Sequence, residues 1–225
     1  FCTMAEIGKD EGLCEKALDS VEERLAFEHG IVLNNPAFTK YVIEYGEIST
    51  YPAGYKENAG IFCHNNPWVI IGETKLGRGD KALDYWKRIA PAFREEKSEL
   101  HKMEPYVYSQ MIAGKDAFKP GEAKNSWLTG TAAWNWAAIS QDILGIKPGY
   151  DGLTIDPCVS KDWKEYKVIR EYRGAIYNIT IKNPAGVCKG VASLTVNGEP
   201  VQGNMVPAQV EGSVNTVELT LGEMS

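Results

Sequence analysis

Apolar residues recur at helical spacing through the first two thirds of the chain. Met4, Ile7, Leu18, Val21 and Leu25 fall on one face of a predicted amphipathic helix over 3–27, while charged residues fill its other faces. A proline in the first turn and a glycine at the end mark a second helix. That second helix is predicted over 66–77, and three more are predicted over 78–91, 103–113 and 129–144.

After about residue 147 the hydrophobic period changes from helical to two. Segments 176–181 and 217–221 alternate between two faces, and 194–196 leads into Asn197-Gly198, which is a hairpin signal. A turn-rich stretch over 147–152 separates the two patterns. The fold class predicted is therefore α + β, with a helical domain over 1–147 and a C-terminal β domain over 148–225.

Composition narrows the classes of partner. The 225 residues are 44% hydrophobic, which suits a chain with a packed core, and the formal net charge is -6 with no basic stripe for nucleic acid. No apolar run approaches the roughly 20 residues that cross a bilayer, and no signal-peptide pattern opens the chain, so we expect no membrane partner and a cytoplasmic location. The five cysteines form no CxxC pair, so we expect reduced, mostly buried thiols and no metal site.

The loop over 51–60 combines aromatic, charged and turn-forming residues. Such a loop could bind a sugar, because sugar sites combine a flat aromatic face with charged or amide groups that bind hydroxyls. A well-packed surface loop without a ligand explains the same composition equally well. The pattern alone therefore leaves both interpretations open.

Two segments at predicted helix starts could bind an anion. His64 precedes the helix that begins near Asn66, and Thr129-Gly130 precede the helix over 129–144, with Thr129 as a candidate cap. A structural histidine and an ordinary helix cap are the plainer explanations. Neither a GxxxxGK[ST] phosphate loop nor a GxGxxG dinucleotide motif is present in the sequence.

Glycoside chemistry usually requires a carboxylic acid that protonates the leaving oxygen, and hydrolysis with inversion requires a second carboxylate. The chain has 30 acidic residues, but no pair is placed convincingly by the sequence. The acidic residues near the candidate loops are Glu57, Glu73, Glu104 and Glu122.

Several motifs in one order closely resemble the cellobiose phosphorylase family. They are YPAGYKENAGIFCHNNPW over 51–68, LGRGD over 76–80, EPYVY over 104–108 and EAKNSWLTGTAAW over 122–134. The resemblance continues through YDGL at 150–153 and DPC at 156–158, so that only about the last thirty residues are indistinct.

The resemblance implies both a fold and a reaction. It implies an (α/α)6 helical barrel followed by a small β-sandwich-like domain, in a homodimeric enzyme without a cofactor. The implied reaction is inverting phosphorolysis of cellobiose, a β-linked glucose disaccharide, to α-glucose 1-phosphate and glucose. By motif, His64, Thr129 and Gly130 correspond to phosphate ligands, and Tyr51, Lys56 and Glu57 correspond to contacts with the acceptor sugar.

The chain departs from that family in extent. A barrel of this type has about twelve helices and only five or six are predicted here, while the family's general-acid aspartate and phosphate-binding arginine have no matching motif. The sequence also begins Phe-Cys-Thr-Met inside a predicted helix. We therefore expect a C-terminal part that needs the remaining N-terminal portion of the enzyme, with no catalytic residue of its own.

Three alternatives stay open at this point. The substrate could be laminaribiose or a cellodextrin, the reaction could be inverting hydrolysis, or the chain could be a non-catalytic glycan-binding module. The six tryptophans favour that module less than a packed core, because Trp68, Trp134 and Trp136 fall inside predicted helices.

Overall fold

The structure is a computed structural model that describes residues 1–223, and it shows an α + β chain. The chain divides into two compact units. The first unit combines Phe1–Leu76 with Asp84–Ala138, and the second combines Gly77–Leu83 with the chain from Ile139 onward. Each unit has its own sheets and its own buried residues.

The helices agree with the sequence pattern in part. The predicted helices over 66–77 and 78–91 are confirmed, but the helix predicted over 3–27 is too long, because Glu6, Gly8 and Gly12 all have left-handed φ angles. The α-helices are α1 (Leu13–Arg24), α2 (Asn66–Lys75), α3 (Gly79–Ile89), α4 (Ser98–His101) and α5 (Thr131–Ala137). Three 3-10 segments cover Ile43–Ser49, Pro91–Phe93 and Glu95–Lys97, and a π-helical turn covers Ala138–Ile143.

The first unit also contains strands that the pattern did not predict. They are β1 (Ala26–Phe27), β2 (Gly30–Ile31), β3 (Ile61–Phe62), β4 (Ser109–Ile112) and β5 (Ala123–Ser126). The helix predicted over 103–113 is wrong, because β4 lies between β3 and β5 in an antiparallel sheet. Ser109 is opposite Ser126, and this pairing with a distant strand outweighs the local helical spacing of the apolar residues.

A compact apolar cluster holds this small sheet against the helices. All of its members are 5% exposed or less. They come from β3, β4, β5, α3 and the segment after β2, so the loops that carry the candidate ligands are anchored on a rigid base. The cluster comprises Val32, Ile61, Cys63, Ile89, Ile112 and Ala123.

The second unit is built mainly from strands. They are β6 (Ile146–Pro148), β7 (Gly152–Ile155), β8 (Glu165–Tyr172), β9 (Ala175–Lys182), β10 (Val191–Val196), β11 (Glu199–Pro200), β12 (Met205–Pro207) and β13 (Val214–Leu221). One sheet has the order β11-β10-β13-β9-β8 and another has the order β12-β7-β6. The strands predicted from alternation over 176–181, 194–196 and 217–221 are confirmed as parts of β9, β10 and β13.

Alternation and turn chemistry explain the five-stranded sheet. In β13, buried residues such as Val217 and Leu219 alternate with exposed ones such as Glu218. The predicted turn Asn197-Gly198 joins β10 to β11, and both of its residues have left-handed φ angles, as a two-residue hairpin of this type requires.

Two further observations concern the cysteines and the length of the helices. All five cysteines are free, and Cys14, Cys63 and Cys158 are buried. Within residues 1–223, no helix is both long enough and apolar enough to span a bilayer.

Candidate functional site

Asn58 fixes the shape of the loop over 51–60. Its side chain is fully buried, and its amide donates to the carbonyl oxygens of Phe38 (3.0 Å) and Tyr51 (2.7 Å). Its side-chain oxygen accepts from the backbone N–H of Phe38 at 2.7 Å. Because a buried amide with all of its partners resists displacement, the loop presents its other side chains from a rigid backbone.

Lys56 lies where this loop meets strand β4. Its backbone has a left-handed φ of 51°, and its N–H donates to the sulfur of Met111 at 3.1 Å. Its ammonium donates to the side-chain oxygen of Gln110, which also accepts from the amide of Asn125 at 2.9 Å. The three side chains form one polar cluster, which we call the Lys56 cluster.

Within the described residues, Glu57 has a buried carboxylate oxygen without a hydrogen bond. One of its carboxylate oxygens, Oε2, is buried and has no hydrogen-bond partner within residues 1–223. Its negative charge acts on two other candidate ligands, because it contributes an upward shift to the pKa of both Tyr51 and His64. The pKa of Tyr51 is raised above its ordinary value, mainly by the hydrogen bond that its hydroxyl donates to Glu47 at 2.8 Å. A buried carboxylate oxygen without a donor is a natural acceptor for a sugar hydroxyl.

His64 sits between the aromatic side chains of the site. Its ring packs edge-to-face on Phe62 (4.9 Å between centroids) and on Trp68 (5.4 Å). Burial lowers its pKa below the ordinary value, and Glu57 opposes that shift only in part. A bound anion would favour the protonated imidazole and so raise this pKa again.

Thr129 and Gly130 precede α5 rather than lying within it. Gly130 is the residue before the first helical turn, and Thr129 accepts from the backbone N–H of Thr131 at 3.0 Å through its hydroxyl. The helix predicted to begin at 129 therefore begins two residues later. A side chain added at Gly130 would meet only Trp134, at 3.9 Å, so open space lies beside its backbone.

Aromatic contacts connect the two halves of the predicted phosphate set. Trp68, which touches His64, packs edge-to-face on Trp134 at 5.8 Å. Trp134 in turn donates from its backbone to the carbonyl oxygen of Gly130 at 3.2 Å. Trp136 does not belong to this core, contrary to expectation, because its side chain is 65% exposed.

The sequence pattern missed Gln110 as a member of the site. It lies in the segment that was wrongly predicted as a helix. Without the pairing of β4 with β5, its side chain could not be placed beside those of the neighbouring strand. Once β4 is known to be a strand, the register places Gln110 opposite Asn125 and within reach of Lys56. The periodicity of 109–112 gave no usable signal, because four residues are too few to distinguish strand from helix.

The sequence pattern also missed a cluster of buried basic side chains. Arg94 is 6% exposed and donates to the carbonyl oxygen of His29 at 3.0 Å, and His101 is 4% exposed. Burial, together with the positive charge of Arg94, lowers the pKa of His101 to about 4. This cluster contains none of the candidate ligands described above.

Comparison with known proteins gives consistent matches. The family model described as glycosyl hydrolase 94 superfamily, catalytic domain, matches residues 1–145. The chain is 43% identical over 208 residues to an N,N'-diacetylchitobiose phosphorylase of Vibrio proteolyticus, covering 92% of this chain and 26% of that protein. It is 33% identical to a solabiose phosphorylase of Paenibacillus borealis (95% of this chain, 28% of that protein).

A third similar protein is a cellobionic acid phosphorylase of Neurospora crassa, 26% identical over 174 residues (75% of this chain, 22% of that protein). The chain therefore spans about a quarter of the length of the curated relatives that it matches.

Proposed function

We propose that this chain, which belongs to the glycosyl hydrolase 94 superfamily, supplies the phosphate and acceptor-sugar contacts of an inverting disaccharide phosphorylase. One observation carries the proposal. His64 and the open backbone at Gly130 are joined through Trp68 and Trp134, and the charge of Glu57, whose Oε2 is buried without a partner among residues 1–223, acts on the same histidine. Donors for an anion and an acceptor for a sugar hydroxyl are thus combined in one unit.

The chemistry of phosphorolysis fits these groups. Phosphate is already an anion, so the site must hold it in line with the anomeric carbon and needs no carboxylate to deprotonate water. His64 and the Thr129 hydroxyl would donate to phosphate, and Gly130 would donate through its backbone. Tyr51, Lys56 and Glu57 would orient the acceptor sugar, whose oxygen is the leaving group.

The acid that protonates the leaving oxygen is proposed to lie in another part of the protein. The relatives are about three and a half times as long as this chain, and a complete (α/α)6 barrel would require further helices. We therefore expect residues 1–225 alone to be inactive. Measurable phosphorolysis by the purified 225-residue segment would contradict this expectation. The homodimer and the cytoplasmic location stay predictions.

Two disaccharides should be tested first as substrates. N,N'-diacetylchitobiose is favoured by the relative that is 43% identical, and cellobiose is favoured by the motifs over 51–68 and 122–134. Laminaribiose and a cellodextrin complete the panel, because they differ in linkage or in length beyond the acceptor ring. Kinetics of the intact protein with each sugar and phosphate would rank them by kcat/KM.

Phosphate dependence separates the proposed reaction from its rivals. A phosphorylase releases the sugar 1-phosphate only when phosphate is present, an inverting hydrolase releases free sugar without it, and a glycan-binding module releases nothing. Release of free sugar at an equal rate in phosphate-free buffer would contradict the proposal.

Variants of the predicted phosphate ligands test the assignment. His64→Ala in the intact protein should lower kcat/KM for phosphate by about 100-fold, the usual effect of removing one donor to developing charge. Thr129→Ala should also impair phosphate use, whereas Thr129→Ser keeps the hydroxyl and serves as its matched control. Unchanged phosphate KM and kcat in His64→Ala would remove this histidine from the site.

A further inference from the structure

Two exposed aromatic side chains, Tyr106 and Trp127, lie within four residues of members of the Lys56 cluster along the sequence. Tyr106 is 74% exposed and Trp127 is 67% exposed, and their rings meet at 6.3 Å between centroids with an interplanar angle of 64°. Large aromatic side chains usually bury most of their surface, so an exposed pair in mutual contact marks a surface that a ligand or the rest of the protein covers.

The backbone holds Trp127 in a conformation that a large side chain rarely adopts. Its φ is 69°, and the hydrogen bonds from Leu128 to Ser126 and from Thr129 to Trp127, each 2.9 Å, form two tight consecutive turns. A left-handed tryptophan is strained, and such strain persists where the surrounding structure imposes it, often at ligand sites.

The position of the pair relative to the candidate ligands is set by the sheet. Asn125, a member of the Lys56 cluster, is two residues before Trp127, and Thr129 is two residues after it. Tyr106 approaches from the segment that leads into β4, the strand that carries Gln110. Trp127 therefore lies on the chain segment between the Lys56 cluster and Thr129, and Tyr106 contacts it.

We propose that Tyr106 and Trp127 form an aromatic platform on which one sugar ring of the substrate packs next to Lys56. This inference rests on the proposed function and names further specificity-determining residues of the same site. The C–H face of a pyranose ring is apolar, so covering it with an aromatic face removes apolar surface from water, while the hydroxyls at the rim reach the polar Lys56 cluster.

The test compares variants of the intact protein. Trp127→Ala should raise KM for the disaccharide roughly tenfold and leave KM for phosphate within about twofold, whereas Trp127→Phe should retain most of the affinity. Trp127→Gly removes the ring without backbone strain, because glycine accepts a φ of 69° readily, and it should show the same loss if Trp127→Ala folds poorly. Trp136→Ala is the matched control, since Trp136 is an equally exposed tryptophan of the first unit.

Direct binding separates failure of the platform from failure of the proposed function. Calorimetric titration with the disaccharide should show the same loss of affinity in Trp127→Ala and Tyr106→Ala. Binding that depends on Trp127 in a protein without phosphorolysis would support the platform and overturn the proposed function. Normal phosphorolysis with an unchanged sugar KM in Trp127→Ala and Trp127→Gly would overturn the platform alone, and so would equal losses for sugar and phosphate.

Discussion

The two units place backbone strain in different settings. Of residues 1–223, eight non-glycine residues have left-handed φ angles, and the second unit holds only Arg173 and Asn197. Each of these is followed by glycine in a two-residue hairpin turn of the five-stranded sheet, where this geometry is common. In the first unit these residues include Lys56, Asn125 and Trp127, which belong to the candidate site or adjoin it.

This difference separates strain that serves the fold from strain that serves a site. The hairpin turns reverse the chain, and the regular pairing of the strands on both sides offsets the free-energy cost of the left-handed residue. Asn125 lies within β5 and Trp127 follows its last residue, and neither these two nor Lys56 is followed by a glycine. Such outliers are typical of binding sites, which is why the observation supports a function for the first unit.

The largest expected effect is a loss of stability confined to the second unit. Leu219→Ala in β13 removes a fully buried side chain, and we expect the free energy of unfolding to fall by about 2–5 kcal/mol. Hydrogen exchange should show faster exchange in β9, β10 and β13, with little change in β4 and β5.

The control for this experiment lies on the same strand. Val214 is 64% exposed, so Val214→Ala should change stability by less than about 0.5 kcal/mol. Equal acceleration of exchange throughout both units would show that they unfold together, and the comparison between them would lose its energetic basis.

A smaller effect is expected from acid, and it should fall on the first unit, which contains all three histidines. Because burial lowers the pKa of His101 to about 4 from an ordinary value near 6.5, the unfolded chain binds a proton in this window that the folded chain does not. Stability should therefore decline as pH falls from 6.5 towards 4, by at most about 3 kcal/mol from this group.

Urea unfolding at pH 7 and pH 4.5 measures the decline. In His101→Asn, which cannot take up the proton, the difference between the two pH values should shrink. An identical pH dependence in wild type and His101→Asn would assign the decline to other groups.

The smallest effect tests the cost of a left-handed residue in a hairpin. Gly198 has a φ of 86°, and a methyl group added to its α-carbon would meet no atom within 4 Å. Gly198→Ala should therefore cost about 1 kcal/mol from backbone strain alone. Gly149→Ala is the control, because that glycine has an ordinary φ. Differential scanning calorimetry of both variants gives the comparison, and equal shifts in Tm would contradict the strain argument.

The sequence predicted the second unit better than the first. Buried and exposed residues alternate over eight positions in both β9 and β13, and Asn197-Gly198 marks the turn between β10 and β11. Local patterns were therefore sufficient to predict these elements. Strand β4 has only four residues, and its pairing partner β5 lies beyond a separate loop. The contact of Lys56 with Gln110 depends on that pairing, and no local pattern encodes it.

The candidate ligands were found by motif rather than by periodicity. Resemblance placed His64, Thr129 and Gly130 in one set, and the structure connects them through Trp68 and Trp134. The unpaired oxygen of Glu57 and the exposed pair Tyr106 and Trp127 were out of reach, because burial and exposure of single side chains in loops depend on tertiary packing.

The position of β13 has a consequence for the order in which the second unit assembles. This strand lies between β10 and β9, antiparallel to the first and parallel to the second, so residues 214–221 join two hairpins that are otherwise separate. During synthesis this strand must leave the ribosome before the sheet can close, and the facing edges of β10 and β9 stay unpaired until then. Folding of this unit is therefore expected to be late and governed by long-range contacts.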